Sequence, residues 1–350
     1  MRVTNNLYKQ YKKRMDRKKL YHRIKRRKKR KKTTKKQKKR NLYNMPAPKN
    51  FSLINNPEKC IKYFNDVLNI INRQYSYSNF DTVQFEISKI ENLTIDALMY
   101  QLAIMTNLRA KKRNIRLLRG TMPQKKDIRK ILMESGFLSY VKTQEAIIPK
   151  QSTKTTEILT GEMVDGESVG KIVDFVNNYF EKTIKDTKFL YTLLSELMTN
   201  TKDHAYSQDE ENQFINRWYL YADVDEENDI IKITFLDTGY GIPNTVRKKI
   251  NEKIKELISV EKADADYIYS ALKGEFRTAT NQKHRGEGLP FINECVENRK
   301  IKNLKILSSY GMINVLENII NKDSISYLEN SLPGTLYYWE MDRECLKGER

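Results

Sequence analysis

The stretch around which the chain is organised is residues 189–206, with the sequence FLYTLLSELMTNTKDHAY. Its leucines and its methionine recur at intervals of three and four residues, which predicts an amphipathic helix with one buried stripe. Glu196, Asn200 and His204 stand four residues apart, so their polar side chains form one line along that helix. Burying a carboxylate and an amide is costly unless they face water, a metal or a ligand. The stretch alone leaves two interpretations open, a solvated edge on a core helix or a line of site residues.

The positive charge of the chain is concentrated in its first 40 residues. These hold 22 of the 65 basic residues and one of the 44 acidic residues, so the remainder is neutral although the net charge is +21. Residues 1–45 are therefore predicted to be a disordered basic arm. The charge favours nucleic acid as its partner, ahead of an anionic membrane, an acidic protein or solubility alone. The candidate contacts are Lys25, Arg26, Arg27, Lys28, Lys29 and Arg30.

Several classes of protein are disfavoured by composition. The three cysteines have no paired spacing, which argues against a disulfide framework or a zinc ribbon and for a reducing compartment. Three histidines are too few for a multi-histidine metal site. No apolar run is long enough to span a membrane, and no apolar segment near the N-terminus has the pattern of a signal peptide. We expect a cytoplasmic protein, and the sequence leaves open whether it forms a homodimer.

Residues 46–148 have the pattern of a small α/β domain. The segment MPAPKN, residues 45–50, is typical of a linker, and Gly136 ends the last helix. Alternating strand and helix patterns predict a βαβ unit. The predicted helices are 57–73, 94–109 and 125–135, and the predicted strands are 82–87 and 114–118. Residues 149–165 are polar and predict an inter-domain linker, followed by a helix over 166–183.

The segment FEISKIENLTIDALMYQLAIMTNLRAKKRNIRLL, followed by a helix and Gly-Phe, resembles the STAS domain of anti-sigma-factor antagonists. The resemblance covers about residues 50–145. Where that family has a phosphorylatable serine ahead of its long helix, this chain has Ile95 or Asp96. The resemblance implies that Asp96 imitates the phosphorylated form.

Three further motifs follow the 189–206 helix. An antiparallel strand pair, 214–223 and 230–236, leads into Asp237-Thr-Gly-Tyr-Gly-Ile-Pro, where two glycines let the backbone approach a flat ligand beside a carboxylate. The segment His284-Arg-Gly-Glu-Gly-Leu-Pro-Phe-Ile opens a helix, and glycines at a helix N-terminus suit phosphate. Last, Leu332-Pro-Gly-Thr-Leu-Tyr-Tyr-Trp-Glu is a glycine turn entering a strand.

The four motifs in this order resemble the GHKL ATPase fold, the superfamily of histidine kinases, anti-sigma-factor kinases and type II topoisomerase ATPase subunits. The resemblance covers about residues 165–342. It implies a GHKL-type α/β sandwich over 166–350, a mixed sheet with helices on one face, that binds ATP and Mg²⁺. The expected fold class is thus α/β throughout, a STAS-like domain followed by this sandwich.

The resemblance also implies a role for each matching residue. Asn200 would hold Mg²⁺ and Glu196 would be the general base. Asp237 would accept from the adenine amino group, supported by Thr335 through water. The remaining implied nucleotide contacts are Gly239, Gly241 and Ile242 around adenine and Lys283, Arg285, Gly286, Gly288 and Leu289 around the phosphates.

Residues 244–285 would be the ATP lid of such a domain. One departure from the family is Pro290, where an apolar helix residue is usual. Proline is tolerated in a first helical turn, so we expect a shifted helix start and an intact pocket.

Three functions remain open from the sequence. The first is an ATP-hydrolysing regulatory switch whose lid and STAS-like domain signal to an unidentified protein partner. In this function the basic arm binds nucleic acid. The second is a protein serine/threonine kinase similar to anti-sigma-factor kinases, and the third is a non-catalytic nucleotide sensor. The first is preferred because it uses the domain fusion and the basic arm together.

Overall fold

The computed structural model describes the chain in segments, and the statements below concern these residues. They are 42–76, 82–110, 118–141, 153–180, 186–203, 214–249, 263–275, 288–316 and 318–347, with Met15, Lys18 and His22. The candidate contacts at residues 25–30, together with His204, Lys283, Arg285 and Gly286, lie outside them. Within the described residues no helix has the combined length and apolar character that crossing a membrane requires.

The N-terminal unit, residues 42–141, is an α/β layer built on three parallel strands in the order β1-β3-β5. A two-stranded pair, β2 and β4, lies beside it. The strands are β1 (Leu42–Pro46), β2 (Asn50–Phe51), β3 (Thr82–Glu86), β4 (Asn92–Leu93) and β5 (Leu118–Gly120). The helices are α1 (Pro57–Ser76), α2 (Ile95–Ala110), α3 (Lys126–Glu134) and α4 (Phe137–Val141).

The predicted helices of this unit are confirmed to within a few residues, and the strand at its start was missed. Strand β1 crosses the predicted boundary between the arm and the MPAPKN linker and pairs in parallel with β3. Its side chains are mostly exposed, so no alternation of apolar residues marks it in the sequence. Backbone pairing with β3 orders this segment, although its amino-acid composition predicts no strand.

The C-terminal unit, residues 153–347, contains a five-stranded sheet in the order β6-β7-β8-β10-β9. Its strands are β6 (Leu159–Gly161), β7 (Trp218–Asp225), β8 (Ile230–Asp237), β9 (Lys302–Asn314) and β10 (Ile325–Met341). We expected a mixed sheet, and this was wrong for the described strands, since every neighbouring pair is antiparallel. The four-residue turn 226–229, with Asp229 at φ 52°, joins β7 to β8 as a hairpin and fixes that direction.

Two strands of this sheet were not predicted. Strand β6 lies in the segment expected to be a linker, where Ile158 is fully buried and Thr155 bridges to Asp223. Strand β9 has positive φ at Asn303 and Ser309 and register shifts against β10, which break its alternation. Residues 153–165 are thus part of the sheet edge.

Helices cover one face of the five-stranded sheet. They are α5 (Gly166–Tyr179), α6 (Lys188–Asp203), α7 (Ile242–Lys249), α8 (Asp264–Leu272) and α9 (Gly288–Glu297). On β8, Ile231, Ile233 and Phe235 point into the core shared with these helices. Leu236 points to the other face and belongs to the core of the N-terminal unit. This two-residue alternation gives the sheet two buried faces.

The N-terminal unit packs directly on the back of this sheet, the face away from α6. The ring of Tyr100 on α2 contacts Phe214, and its hydroxyl donates to the carbonyl of Pro333 at 3.3 Å. Asn65 on α1 donates to the carbonyl of Ser331 at 3.0 Å. Both contacts hold the stretch of β10 just before Thr335, which was expected to be a glycine turn and is instead an irregular part of the strand with register shifts against β9. Buried residues of the two units belong to one core cluster beside it.

Candidate functional site

Helix α6 presents Glu196 and Asn200 one turn apart, as its sequence predicts. Both are half-buried, while the apolar stripe of the same helix is buried in the core. That stripe consists of Leu190, Leu193, Leu194, Leu197 and Met198. Because the stripe fixes the rotation of the helix, the two polar side chains are aimed along its flank.

The N-terminus of α9 lies against these two side chains. A Cβ atom placed on Gly288 would be 2.9 Å from Asn200 Nδ2 and 3.1 Å from Glu196 Oε2. The first amides of a helix have no partner inside the helix and carry partial positive charge. The arrangement therefore brings an anion-attracting helix end next to a carboxylate and an amide. Helix α9 starts at Gly288, so Pro290 stands in the first turn as expected and Leu289 is half-buried beside it.

Asp237 ends β8 at the start of the glycine-rich turn. The amide of Gly239 donates to Asp237 Oδ1 at 2.9 Å, which fixes the orientation of the carboxylate. Burial raises the pKa of Asp237 to about 6, opposed by this amide and by the Thr335 hydroxyl. Thr335 lies directly opposite Asp237 across the β8–β10 pair. The residues expected to recognise adenine together are therefore adjacent.

At this turn, neighbouring atoms approach the backbone so closely that only glycine fits. Gly241 has φ +81°, and a Cβ atom there would be 2.8 Å from Ser308 Oγ. Gly334 has φ +95°, and its Cβ would be 2.2 Å from the carbonyl oxygen of Asp237. The two glycine motifs are thus in direct backbone contact, which few other residues would permit.

Ser308 connects these motifs and was missed in the sequence. Its hydroxyl accepts from the amide of buried Ile242 at 3.0 Å and lies 3.0 Å from the Gly334 carbonyl and 3.1 Å from Thr335 Oγ1. The signal that could have found it is the polar pair Ser308-Ser309 directly after the apolar residues Ile306 and Leu307 of β9. That signal is usable only once β9 is recognised as a strand.

Part of the segment expected to be a mobile lid is packed in the core. Ala265 and Ile268 of α8 are fully buried, and α8 lies against β9 where Gly311 has no side chain. Arg247 of α7 forms an ion pair with Asp264, which also accepts from the amide of Tyr310 at 3.0 Å. Residues 250–262 and 276–287, the rest of the expected lid up to residue 285 and the start of the glycine motif, lie outside the described segments.

The donor set around α6 suits a cation held mainly by a ligand. Within the described residues no three His, Cys, Asp or Glu side chains come together as a metal site. One amide oxygen at Asn200 beside a helix N-terminus fits the habit of Mg²⁺, which keeps waters and binds through phosphates. The residues present therefore fit a metal that arrives with an anionic ligand.

Comparison with protein-family models and with curated proteins gave no match to this chain.

Proposed function

We propose that the chain binds ATP with Mg²⁺ at this site and hydrolyses it as a regulatory switch. The observation that carries the proposal is the contact of Gly288 with Asn200 and Glu196, which joins the glycine-rich helix start to the polar line of α6. These two motifs lie nearly ninety residues apart in the sequence, and the resemblance to GHKL ATPases assigns both to one nucleotide site.

Adenine is assigned to the turn after β8. The Asp237 carboxylate, oriented by the Gly239 amide, would accept a hydrogen bond from the exocyclic amino group. Thr335 sits opposite to support a bridging water. Gly241 lets the turn pack closely on Ser308 and the Gly334 carbonyl beside it. Buried Ile242 adds apolar contact at the start of α7.

The phosphates are assigned to the N-terminus of α9. The free amides at Gly288 and Leu289 would donate to phosphate oxygens. Gly286, Lys283 and Arg285 stay proposed contacts from the sequence, since they precede this helix directly. Bound Mg²⁺ supplies charge neutralisation on the phosphate oxygens, and Asn200 would hold it.

Glu196 is assigned the proton transfer. Its carboxylate lies beside the helix start that would hold the terminal phosphate, at the place where an attacking water must be oriented. It would accept the proton of that water as the oxygen attacks phosphorus and the bond to the leaving diphosphate breaks.

Coupling to a partner is assigned to the irregular stretch of β10 before Thr335. Asn65 and Tyr100 of the STAS-like N-terminal unit hold the carbonyls of Ser331 and Pro333, immediately before the Gly334-Thr335 pair of the site. A change at the nucleotide would thus reach the helices of the first unit through one short segment. Asp96 is buried and accepts from the amide of Leu53, so its charge is not displayed as a phosphoserine mimic at the surface.

The basic arm is proposed to bind nucleic acid through residues 25–30. Neutralised phosphates release counterions, so binding of single- or double-stranded DNA or RNA should weaken steeply with salt. Salt-independent binding, or none, would remove this part of the proposal.

The proposal is tested by calorimetric titration of the full chain with ATP in excess Mg²⁺ and again with EDTA. One saturable site, weakened by EDTA, is the expected outcome. Absence of saturable binding in Mg²⁺ would overturn the proposal. Binding without turnover, followed by label transfer to a partner protein, would replace hydrolysis with the kinase function.

A further inference from the structure

A second cavity lies on the opposite side of the five-stranded sheet, between the N-terminal unit and the back of the sheet. Its volume is about 660 Å³, within the range of cavities that hold small organic ligands. The cross-strand row Asp223, Lys232 and Glu340 forms its floor. Thr94 and Asp96, at the start of α2, contribute from the first unit.

Asp96 lines this cavity and is itself buried. Its side chain is 1 % exposed, and Oδ1 accepts from the amide of Leu53 at 2.6 Å. Oδ2 makes no hydrogen bond of regular geometry among the described residues. Burial raises the pKa of Asp96 to about 6, opposed by the Thr94 hydroxyl and by the amides of Leu53, Asp96 and Ala97. Burying a carboxylate without a cationic partner is costly.

Asp223 faces the same cavity from the sheet. Burial raises the pKa of Asp223 to about 6, and repulsion from Asp225 and Asp96 adds to the rise while Lys232 opposes it. Lys232, directly opposite on β8, places its Nζ 2.7 Å from Asp225 Oδ2. Among the described residues neither Asp96 nor Asp223 has an ion-pair partner. The cavity thus holds two carboxylates, contributed by different units, whose charge Lys232 offsets only in part.

The remaining lining increases the excess of acceptors. Asn314 Oδ1 is buried without a partner in the described part of the chain. Glu340 accepts from Tyr338 at 2.5 Å and from Asn303. The cavity lining is therefore rich in acceptors.

The lysines of the lining do not remove this excess. Lys154 pairs with Glu226 at 2.6 Å, and Lys232 pairs with Asp225. Both partners are acids outside the cavity lining, so these two positive charges are already neutralised. Lys305 is the remaining cation of the lining. The lining contains four acids, which are Asp96, Glu134, Asp223 and Glu340.

We propose that this cavity binds a small organic amine, with its protonated nitrogen held between Asp96 of the first unit and Asp223 of the sheet. An amine supplies both the charge and the hydrogen-bond donors that the buried oxygens lack. A bare metal ion is disfavoured, since no three His, Cys, Asp or Glu side chains among the described residues come together to hold one. The ligand would tie the two units together. This site is separate from the nucleotide site and does not depend on it.

The test is thermal unfolding of the full chain near neutral pH with putrescine, ethanolamine or glucosamine up to roughly 10 mM. The uncharged analogues butanediol, ethylene glycol and glucose serve as matched ligands. At least one amine should raise the melting temperature saturably, and its analogue should act at least about tenfold more weakly. The response should be lost in Asp96→Asn and in Asp223→Asn and kept in Glu227→Gln, an exposed acid on the β7–β8 turn.

Each variant is first shown to unfold cooperatively without ligand, because Asp96 also accepts from the Leu53 amide and its replacement costs that contact. Asp223→Asn removes a carboxylate that burial makes costly, so a response lost in this variant is not explained by loss of folding. A response to none of the three amines would overturn the proposal. So would an equal response to the uncharged analogues, or an amine response that survives in both asparagine variants. A response to MgCl₂ or CaCl₂ alone would replace the amine with a divalent cation.

Discussion

Gly288 packs so closely on Asn200 that a Cβ atom on the glycine would lie 2.9 Å from the amide nitrogen of Asn200. This contact joins the start of α9 to the polar line of α6. It leaves the helix amides facing the space beside Glu196. The nucleotide assignment depends on this juxtaposition more than on any single motif.

Substituting Gly288 by alanine should weaken ATP binding at least about tenfold, because the added methyl group displaces Asn200 or Glu196. Calorimetric titration in Mg²⁺ measures the change. The matched control is Gly170→Ala, also in a helix, where a Cβ meets nothing within 4 Å. Equal ATP affinity in both variants would show that the α9 start is not part of the site.

Replacing Asp237 by asparagine should reduce ATP affinity by about tenfold to a hundredfold, the value of a hydrogen bond to a charged acceptor. The same change should strengthen the binding of ITP, because ITP has an oxygen in place of the amino group, which a carboxylate repels and to which the asparagine amide donates. Competition binding of the two nucleotides measures the discrimination. A variant that still prefers ATP as the wild type does would place adenine elsewhere.

The Gly334→Ala variant should lose about 3 kcal/mol of unfolding free energy or more, since φ is +95° and the Cβ would collide with the Asp237 carbonyl. Urea denaturation measures it. Gly120→Ala, where a Cβ meets nothing within 4 Å, should change stability by less than about 1 kcal/mol. Similar losses in the two variants would contradict the close contact of the glycine motifs.

Asp223→Asn should stabilise the protein above about pH 6 and have little effect below about pH 4. Burial raises the pKa of this group from 3.8 to about 6, so the folded state binds its proton more tightly than the unfolded state. The wild type therefore loses stability as pH rises between these values. The variant should gain about 2 to 3 kcal/mol at neutral pH.

Thermal unfolding from pH 4 to pH 8 tests this dependence, with Glu227→Gln as the control at an exposed acid. Equal melting temperatures of wild type and Asp223→Asn across the range would show that Asp223 is solvated.

The sequence predicted the elements whose pattern repeats within a few residues. The stripe of α6 has a clear helical period, and Gly136 and Pro290 mark a helix end and a helix start through backbone chemistry that acts within a few residues. The ordered motifs predicted that Glu196, Asn200, Asp237, Gly288 and Thr335 belong to one site. Two contacts among them, Gly288 with α6 and Asp237 with Thr335, are found in the structure.

What the sequence did not predict depends on tertiary pairing. Strands β1 and β6 are short edge strands ordered by a neighbour, and β9 is interrupted at Ser309 by a positive φ. Missing β9 concealed Ser308, whose hydroxyl ties the two glycine motifs together. The pairing of Asp96 with Asp223 across a cavity joins residues 127 positions apart and has no local pattern.

The most direct test of the account is ATP turnover by the full chain in Mg²⁺, compared between wild type and Glu196→Gln with and without DNA or RNA. Glu294→Gln on the exposed side of α9 is the matched control. The account predicts phosphate release by the wild type and the control, and a loss of about a hundredfold or more in Glu196→Gln with ATP binding retained. Turnover unchanged in Glu196→Gln, or none in the wild type under any of these conditions, would contradict it.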